Sequence, residues 1–449
     1  MYIKDFKGKL VLMENNDLNT KTPEEVVTDK KKSTLFKSKI FKTALIISLI
    51  FIISISYWVF INIKLINNYS DKVYPGAYVL NNDLSGLNKE ELHDALISLV
   101  NDINNKEVVV TANEQKFNIS YKDLDANINY DDLEEKILNF GKDKGFFDKI
   151  NLIKKPTNIE YNFEVLFSEE KLTNFISTIS SAIDASPTNA SINISGGINI
   201  SNDTTGLKLN SSQLLDDIKN KIKDMNAPDT VEIAANIDVV EANIKASTLA
   251  TVNNKISSFT TRYSAGPSGT NLQLAAINID NTIVMPGETF STEKAIGPTT
   301  IENGFVSANT YVGGEVVPGI GGGVCQVAST LYNTMLRAGI IPTERLNHMM
   351  TVSYVPIGLD ATLADNLIDL KFVNDFDYPI VINSYASNGN LTVEFWSNDT
   401  VMNGMTYEAV SVPLGPLSAD AYLHGYNANG ELVVNKYLDR STYQPLPNN

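Results

Sequence analysis

The 449-residue chain holds one cysteine, Cys325, and three histidines, His93, His348 and His424. A thiolate is a nucleophile and a neighbouring imidazole a general base, so one of each in contact would make a site for acyl transfer. Cys325 follows the glycine run GIGGGV of 319–324 and opens the segment CQVASTLYNTMLRAG, in which Ala328, Leu331 and Met335 recur at helical spacing and Gly339 supplies a stop. The pattern predicts a helix with the thiol in its first turn. Unpaired N–H groups and the helix dipole favour a thiolate there, lowering the pKa from the free value of about 8.5. Gly321, Gly322 and Gly323 form a loop whose backbone can approach a ligand closely, and its N–H groups, with those of the helix start, are candidates for an oxyanion hole.

Of the histidines, His348 in the segment ERLNHMM stands 23 positions beyond the cysteine and is the candidate base. His93 falls on a predicted helix surface, and His424 lies beside Gly425 with no motif around it. One cysteine and one histidine at this separation leave two readings side by side: an activated nucleophile, or a small buried hydrophobe. The glycines do not make a phosphate loop, because no Lys-Ser or Lys-Thr follows them. No His and Cys cluster has metal-ligand spacing, so the expectation is a site without metal or other cofactor.

The elements around these residues begin with an apolar run. From Thr43 to Ile63 the chain runs 21 residues without a charge, enough helix to cross about 30 Å of bilayer core. Lys30, Lys31, Lys32, Lys37, Lys39 and Lys42 precede it and only Lys64 and Lys72 follow closely, which places the N-terminus in the cytoplasm and everything after Lys64 outside. The 42 residues before the run and the lack of a small-x-small site after it favour an uncleaved anchor over a signal peptide. Residues 1–42 are polar, carry +4 and read as a disordered tail. The net charge is −16 overall and therefore −20 beyond the tail, which argues against nucleic acid as a partner. A single cysteine rules out an internal disulfide, so a free thiol on the outer side of the membrane needs another use.

Between Val73 and about Val240 short β-rich runs alternate with amphipathic ones. KEVVVTAN reads as strand, KEELHDALISLV and SEEKLTNFISTISSAI as helices, and SINISGGINIS as a hairpin about Gly196 and Gly197. LDANINYDDLEEKI at 124–137 is answered by TGLKLNSSQLLDDI at 205–218, each with a short strand, an Asn at the helix start (Asn129, Asn210) and Leu and Ile at helical spacing. Two related halves are expected. On VYPGAYVLNNDLSGLNKEELHDAL, DASPTNASI and this repeat, residues 73–245 resemble the peptidoglycan-binding domain that precedes the catalytic domains of several Gram-positive wall enzymes. A plain spacer is the alternative use of such a region.

The composition shifts near Thr251. The blocks PGETFS (286–291), GGGVCQVASTLYNTMLRAG (321–339), ERLNH (344–348), SYVPIGLDAT (353–362) and DLKFVNDFDYPIVI (369–382) resemble the VanW family in order and spacing. The resemblance covers 255–445, with NANGELV similar to the family's C-terminal extension; Met349 departs from it, standing where the family commonly has Ser. The resemblance implies the chemistry of some VanW-domain proteins that also carry an anchor and a peptidoglycan-binding domain: L,D-transpeptidation through the motif cysteine, making 3→3 peptidoglycan cross-links. Cys325 would attack the carbonyl of the third residue of a tetrapeptide stem, release the terminal D-Ala, and hold a thioester until an amine of a neighbouring stem attacks, with His348 as base and then acid. Asp360 is the candidate to orient His348, with Asn347 second; Arg345 would pair with stem carboxylates, and Tyr332 and Tyr354 would line the pocket. Two other classes stay open: a cysteine peptidase or amidase that passes the acyl group to water, and a non-catalytic wall-binding protein with a packed Cys325.

The expected architecture is α+β and multidomain. It comprises the tail at 1–42, a transmembrane helix at 43–63, a peptidoglycan-binding-like region of two halves at 64–250, and a mixed α/β VanW domain at 251–449. In the last, a mostly antiparallel sheet with strands near 351–357, 368–374, 379–384 and 391–396 packs against the Cys-bearing helix.

Overall fold

The computed structural model describes residues 39–312 and 315–445; the greater part of the expected tail, 1–38, lies outside the described residues. The first elements are α1 (Lys39–Asn67), β1 (Ala77–Val79), β2 (Asn82–Asp83), α2 (Lys89–Ile103), β3 (Glu107–Ala112), β4 (Gln115–Ser120), α3 (Tyr130–Asn139), α4 (Phe146–Lys154) and β5 (Ile159–Glu160). Next come α5 (Glu169–Ile183), β6 (Ile192–Asn193), β7 (Asn199–Ile200), β8 (Gly206–Leu209), α6 (Ser211–Ile222), β9 (Thr230–Ala234), β10 (Ile237–Val240) and α7 (Ala246–Leu249). The remainder is β11 (Asn254–Arg262), α8 (Pro267–Ile279), β12 (Thr282–Val284), β13 (Thr289–Ser291), α9 (Thr292–Ile296), β14 (Ser307–Val312), β15 (Glu315–Ile320), α10 (Cys325–Arg337), β16 (Lys371–Val373), β17 (Ile380–Ser387), β18 (Asn390–Ser397), β19 (Thr406–Gly415), β20 (Ser418–Tyr426) and β21 (Leu432–Thr442). The chain divides into two compact units, Met1–Asn101 with Ile128–Glu164, and Asp102–Asn127 with Val165–Asn449.

In the first unit, α1 contains the predicted apolar run and is the one described helix long and apolar enough to cross a membrane. Its Leu45, Ile46, Phe51 and Ile53 are exposed, as side chains that face lipid are. Leu92 and Leu96 of α2 and Leu133 and Ile137 of α3 recur at helical spacing, so each helix presents one apolar stripe, and these close a core over Val79 and Leu84. Asn129 caps α3 by accepting the N–H of Asp132, satisfying a donor that the helix itself leaves open.

The second unit opens with a sheet in the order β4-β3-β9, whose central strand buries Val108, Val110 and Ala112 by simple alternation. Asn210 caps α6 by accepting the N–H of Gln213, the counterpart of Asn129, and β6 and β7 form the predicted hairpin about Gly196 and Gly197, both at positive φ. The strand expected ahead of Asn129 is reduced to a single bridge between Asn127 and Leu166.

The C-terminal part of this unit is built on an antiparallel sheet ordered β11-β18-β17-β12. Leu391, Val393 and Phe395 alternate on β18, and their face joins Leu272, Ala275 and Ile279 of α8 and Val327, Leu331 and Met335 of α10 in one buried cluster. On the sheet's other face Val381 packs with Ile192, Ile194, Leu249 and Val252. A separate antiparallel sheet, β19-β20-β21, ends the described chain. The strand predicted at 351–357 does not form: the segment is coil. Pro356 has no N–H to give a ladder, Gly358 just beyond the segment turns the chain at φ 85, and Ile357 O accepts the Ser411 hydroxyl (2.6 Å) in place of a neighbouring strand's N–H. The strand predicted at 368–374 shortens to β16, paired with β13.

Candidate active site

Helix α10 begins at Cys325 itself, behind a tight turn in which the Val324 N–H donates to Gly321 O (3.2 Å) and the Gln326 N–H to Gly323 O (3.2 Å). Gly321 and Gly323 sit at φ 84 and 106, a region that disfavours any side chain. A Cβ on Gly322 would collide with the carbonyl of Asn309, and one on Gly323 with that of Ser268, so the close approach read from these glycines is made to the protein's own backbone. Fully buried Asn271 holds the turn, its Nδ2 donating to Gly322 O (3.0 Å) and Val306 O (2.9 Å). The turn closes the donors of Gln326 and Val327; among the described residues no acceptor takes the N–H of Cys325.

One face of α10 carries Cys325, Ser329 and Asn333, each one turn after the last, and the latter two are buried polar residues with a positional role. Ser329 Oγ donates to Ala361 O (3.0 Å) and accepts the Ala361 N–H (3.0 Å), while Asn333 Nδ2 donates to Leu359 O (2.7 Å). Segment 359–363 is thereby laid along the helix. Its Thr362 Oγ1 comes within 3.6 Å of Cys325 Sγ, and its Leu363 N–H donates to the sulfur at 3.5 Å.

The same segment supplies Asp360, which is fully buried. Asp360 Oδ2 accepts the backbone N–H of His348 and also meets its Nδ1, both at 2.7 Å, while Oδ1 accepts the Tyr443 hydroxyl at 2.5 Å. The Tyr443 oxygen in turn accepts the Gly358 N–H (2.6 Å). Burial favours the neutral carboxyl, but the bonds from His348 and Tyr443 outweigh it and hold Asp360 below the usual carboxylate range. Burial likewise lowers the basicity of His348; the hydrogen bond it donates to Asp360 and the nearby sulfur of Cys325 overcome that and push it up to about 9. At half-buried Cys325, burial raises the thiol, and the hydrogen bond and charge of His348, with the Leu363 N–H, bring it below its ordinary value. With Nδ1 engaged by Asp360, the ring nitrogen left for the sulfur is Nε2. The arrangement favours an imidazolium paired with a thiolate.

The structure therefore brings Cys325, His348 and Asp360 together. Asn347 does not touch the imidazole; its Nδ2 donates to His348 O (2.8 Å) and Thr442 O (3.2 Å). Arg345 is 4 % exposed at its side chain, and its guanidinium is occupied within the protein: by Asp360 O (2.6 and 2.8 Å), Asp439 Oδ2 (2.6 Å), Ser441 Oγ (3.0 Å) and the face of the Tyr332 ring (5.1 Å). Tyr332 is 1 % exposed in the core beneath it, and Tyr354 is half-buried in the coil before Asp360. His93 pairs with Glu134 in the first unit, and His424 lies on β20. Sequence reasoning passed over Thr362, although it belongs to the same block as Asp360, and Leu363. It also passed over Tyr443, which stands 83 positions beyond Asp360 with no local motif to connect them.

Comparison with known proteins covers Cys325, His348 and Asp360 and stops short of Tyr443. Residues 268–396 match the family described as VanW like protein, and residues 117–231 the family described as "Putative peptidoglycan binding domain". Over 131 residues the chain is 40% identical to the uncharacterized protein YoaR of Bacillus subtilis, a match covering 29% of this chain and 43% of that one. Over 112 residues it is 30% identical to the vancomycin B-type resistance protein VanW of Enterococcus faecalis, covering 24% and 41% respectively. The chain thus spans about two fifths of the length of these curated relatives. No solved structure matches the chain. Both resemblances read from the sequence are borne out at the level of domains: this chain carries a VanW-like domain and a region of the peptidoglycan-binding family.

Proposed function

From a VanW-like domain, a peptidoglycan-binding-family region and a membrane-compatible helix on one chain, we propose a wall-facing L,D-transpeptidase that works through a thioester on Cys325. The observation that carries the reading is the buried Asp360 carboxylate 2.7 Å from His348 Nδ1, with the imidazole near enough to Cys325 to lower its thiol. Such an arrangement is what nucleophilic acyl transfer needs: a thiol whose ionisation is favoured, an acid to protonate the leaving amine, and a buried group that fixes the ring.

In the proposed reaction the Cys325 thiolate adds to the carbonyl carbon of the third stem residue, and the N–H of Cys325 faces the oxyanion. Collapse breaks the bond to the terminal D-Ala, whose amine leaves with the proton from His348 Nε2. His348, now neutral, takes a proton from the amine of a neighbouring stem as that amine attacks the thioester. The C–S bond breaks, and thiolate and imidazolium are restored. In this reading residues 64–250 engage peptidoglycan, 251–449 perform the chemistry, and both lie outside the membrane with the N-terminus in the cytoplasm. Intact-mass analysis after incubation with a disaccharide tetrapeptide tests the intermediate. The expected adduct equals the donor less D-Ala, maps to Cys325, and is absent with Cys325→Ala. An accessible thiol that never acquires it across a range of stems would contradict the proposal.

A further inference from the structure

Helix α4 packs against α1 inside the first unit at a depth that matters. Its leading residues Phe146 and Phe147 both place their rings 6.2 Å from Trp58, edge-on at 78° and stacked at 28° respectively. Trp58 stands five residues short of Ile63, the end of the charge-free run. That offset corresponds to about 8 Å of helix. Near the same end, Asn62 is fully buried: its Nδ2 donates to Trp58 O (2.7 Å) and its Oδ1 accepts Lys154 Nζ of α4 (2.6 Å). Ile150 and Ile153 turn into the protein, yet Phe147 is 71% exposed beside an apolar helix whose own neighbours Tyr57 and Phe60 are also exposed.

If α1 crosses the bilayer, rings in contact with Trp58 lie below the headgroups, at the depth of about 5–10 Å where interfacial helices bury their apolar faces. Charge agrees with that placement. The segment 142–155 holds Lys142, Lys144, Lys149, Lys154 and Lys155 against Asp143 and Asp148, a net +3 on a chain that is −20 beyond its first 42 residues. Lysines flanking exposed aromatics suit an anionic lipid surface: the stems extend along the apolar layer and the ammonium groups reach the headgroups. We infer that α4 is a second membrane contact, an interfacial anchor that seats Phe146 and Phe147 in the outer leaflet beside α1 with anionic phospholipid under its lysines. The inference rests on α1 spanning the bilayer and is independent of the chemistry at Cys325.

The test uses the full chain in a Cys325→Ala background, reconstituted in vesicles of phosphatidylglycerol and phosphatidylethanolamine. An environment-sensitive fluorophore is attached at Phe147→Cys, at Ser54→Cys within α1, or at Asp94→Cys on the exposed face of α2. The expected result is a blue-shifted emission at position 147, loss of quenching by aqueous iodide, and strong quenching by lipids spin-labelled near the headgroup, with position 54 quenched instead by deep labels and position 94 by iodide. A wet label at position 147 that matches position 94 would overturn the inference, whether or not position 54 is deep. Lys149→Glu with Lys155→Glu, carrying the label at position 147, is expected to regain iodide quenching; an unchanged reading there would remove the anionic headgroup from the proposal.

Discussion

Cys325 and His348 set each other's protonation, and the two shifts have opposite signs for stability. His348 is raised from 6.5 to about 9, so its contribution is fully present below pH 6.5 and is lost as pH rises through about 9. Cys325 is lowered from its ordinary value, so its contribution is present above that value and is lost as pH falls through the lowered one. Between the two limits the ion pair persists. The alkylation rate of the folded protein by iodoacetamide is therefore expected to rise less steeply around neutral pH than that of an ordinary thiol near pKa 8.5, which gains about tenfold per pH unit. His348→Ala should restore the steep rise; a steep rise in the wild type would deny the ion pair. Asp360→Asn removes the charge that supports the imidazolium, and turnover should fall by about 10²- to 10⁴-fold, the usual worth of positioned acid–base catalysis. Asn347→Ala touches only backbone carbonyls and should leave turnover unchanged, which a steady-state assay of the pair would show.

At the scale of elements, the site depends on α10 and on Tyr443, the residue that follows β21. Ser329→Ala leaves the Ala361 N–H without its acceptor in a buried place, and should cost about 1–3 kcal/mol in denaturant unfolding. Tyr443→Phe strips a donor from Asp360 Oδ1 and an acceptor from the Gly358 N–H, with a similar cost and a shifted pH profile of alkylation. A purely structural Tyr443 would lower the unfolding midpoint and leave that profile in place. Tyr443 lies beyond the residues matched to the VanW family, so the last sheet belongs to the site's support although the motif blocks end before it. This marks where the sequence was legible. Cys325 at a helix start could be read because Ala328, Leu331 and Met335 repeat with the helical period, and the caps at Asn129 and Asn210 because the signal is one residue long. Arg345, Tyr332 and Tyr443 could not, since their partners are set by long-range packing that leaves no spacing in the chain. The coil at 351–357 misled for a related reason: its Val and Tyr content suits a strand, but Pro356 and the Ser411 hydroxyl of β19 on Ile357 O decide against one.

At the scale of the whole chain, a membrane-compatible helix, a peptidoglycan-binding-family region and a VanW-like domain follow one another. Binding and chemistry reside in different parts in this account, so full-length Cys325→Ala should cosediment with purified sacculi as well as the wild type does. Loss of cosedimentation in that variant would instead tie retention to the thiol. The most direct measurement is the product formed by the 449-residue chain from disaccharide tetrapeptide, with Cys325→Ala alongside. The expected product is a cross-linked dimer lacking one D-Ala, made by the wild type alone. Free tripeptide without any dimer would contradict it and make water the acceptor.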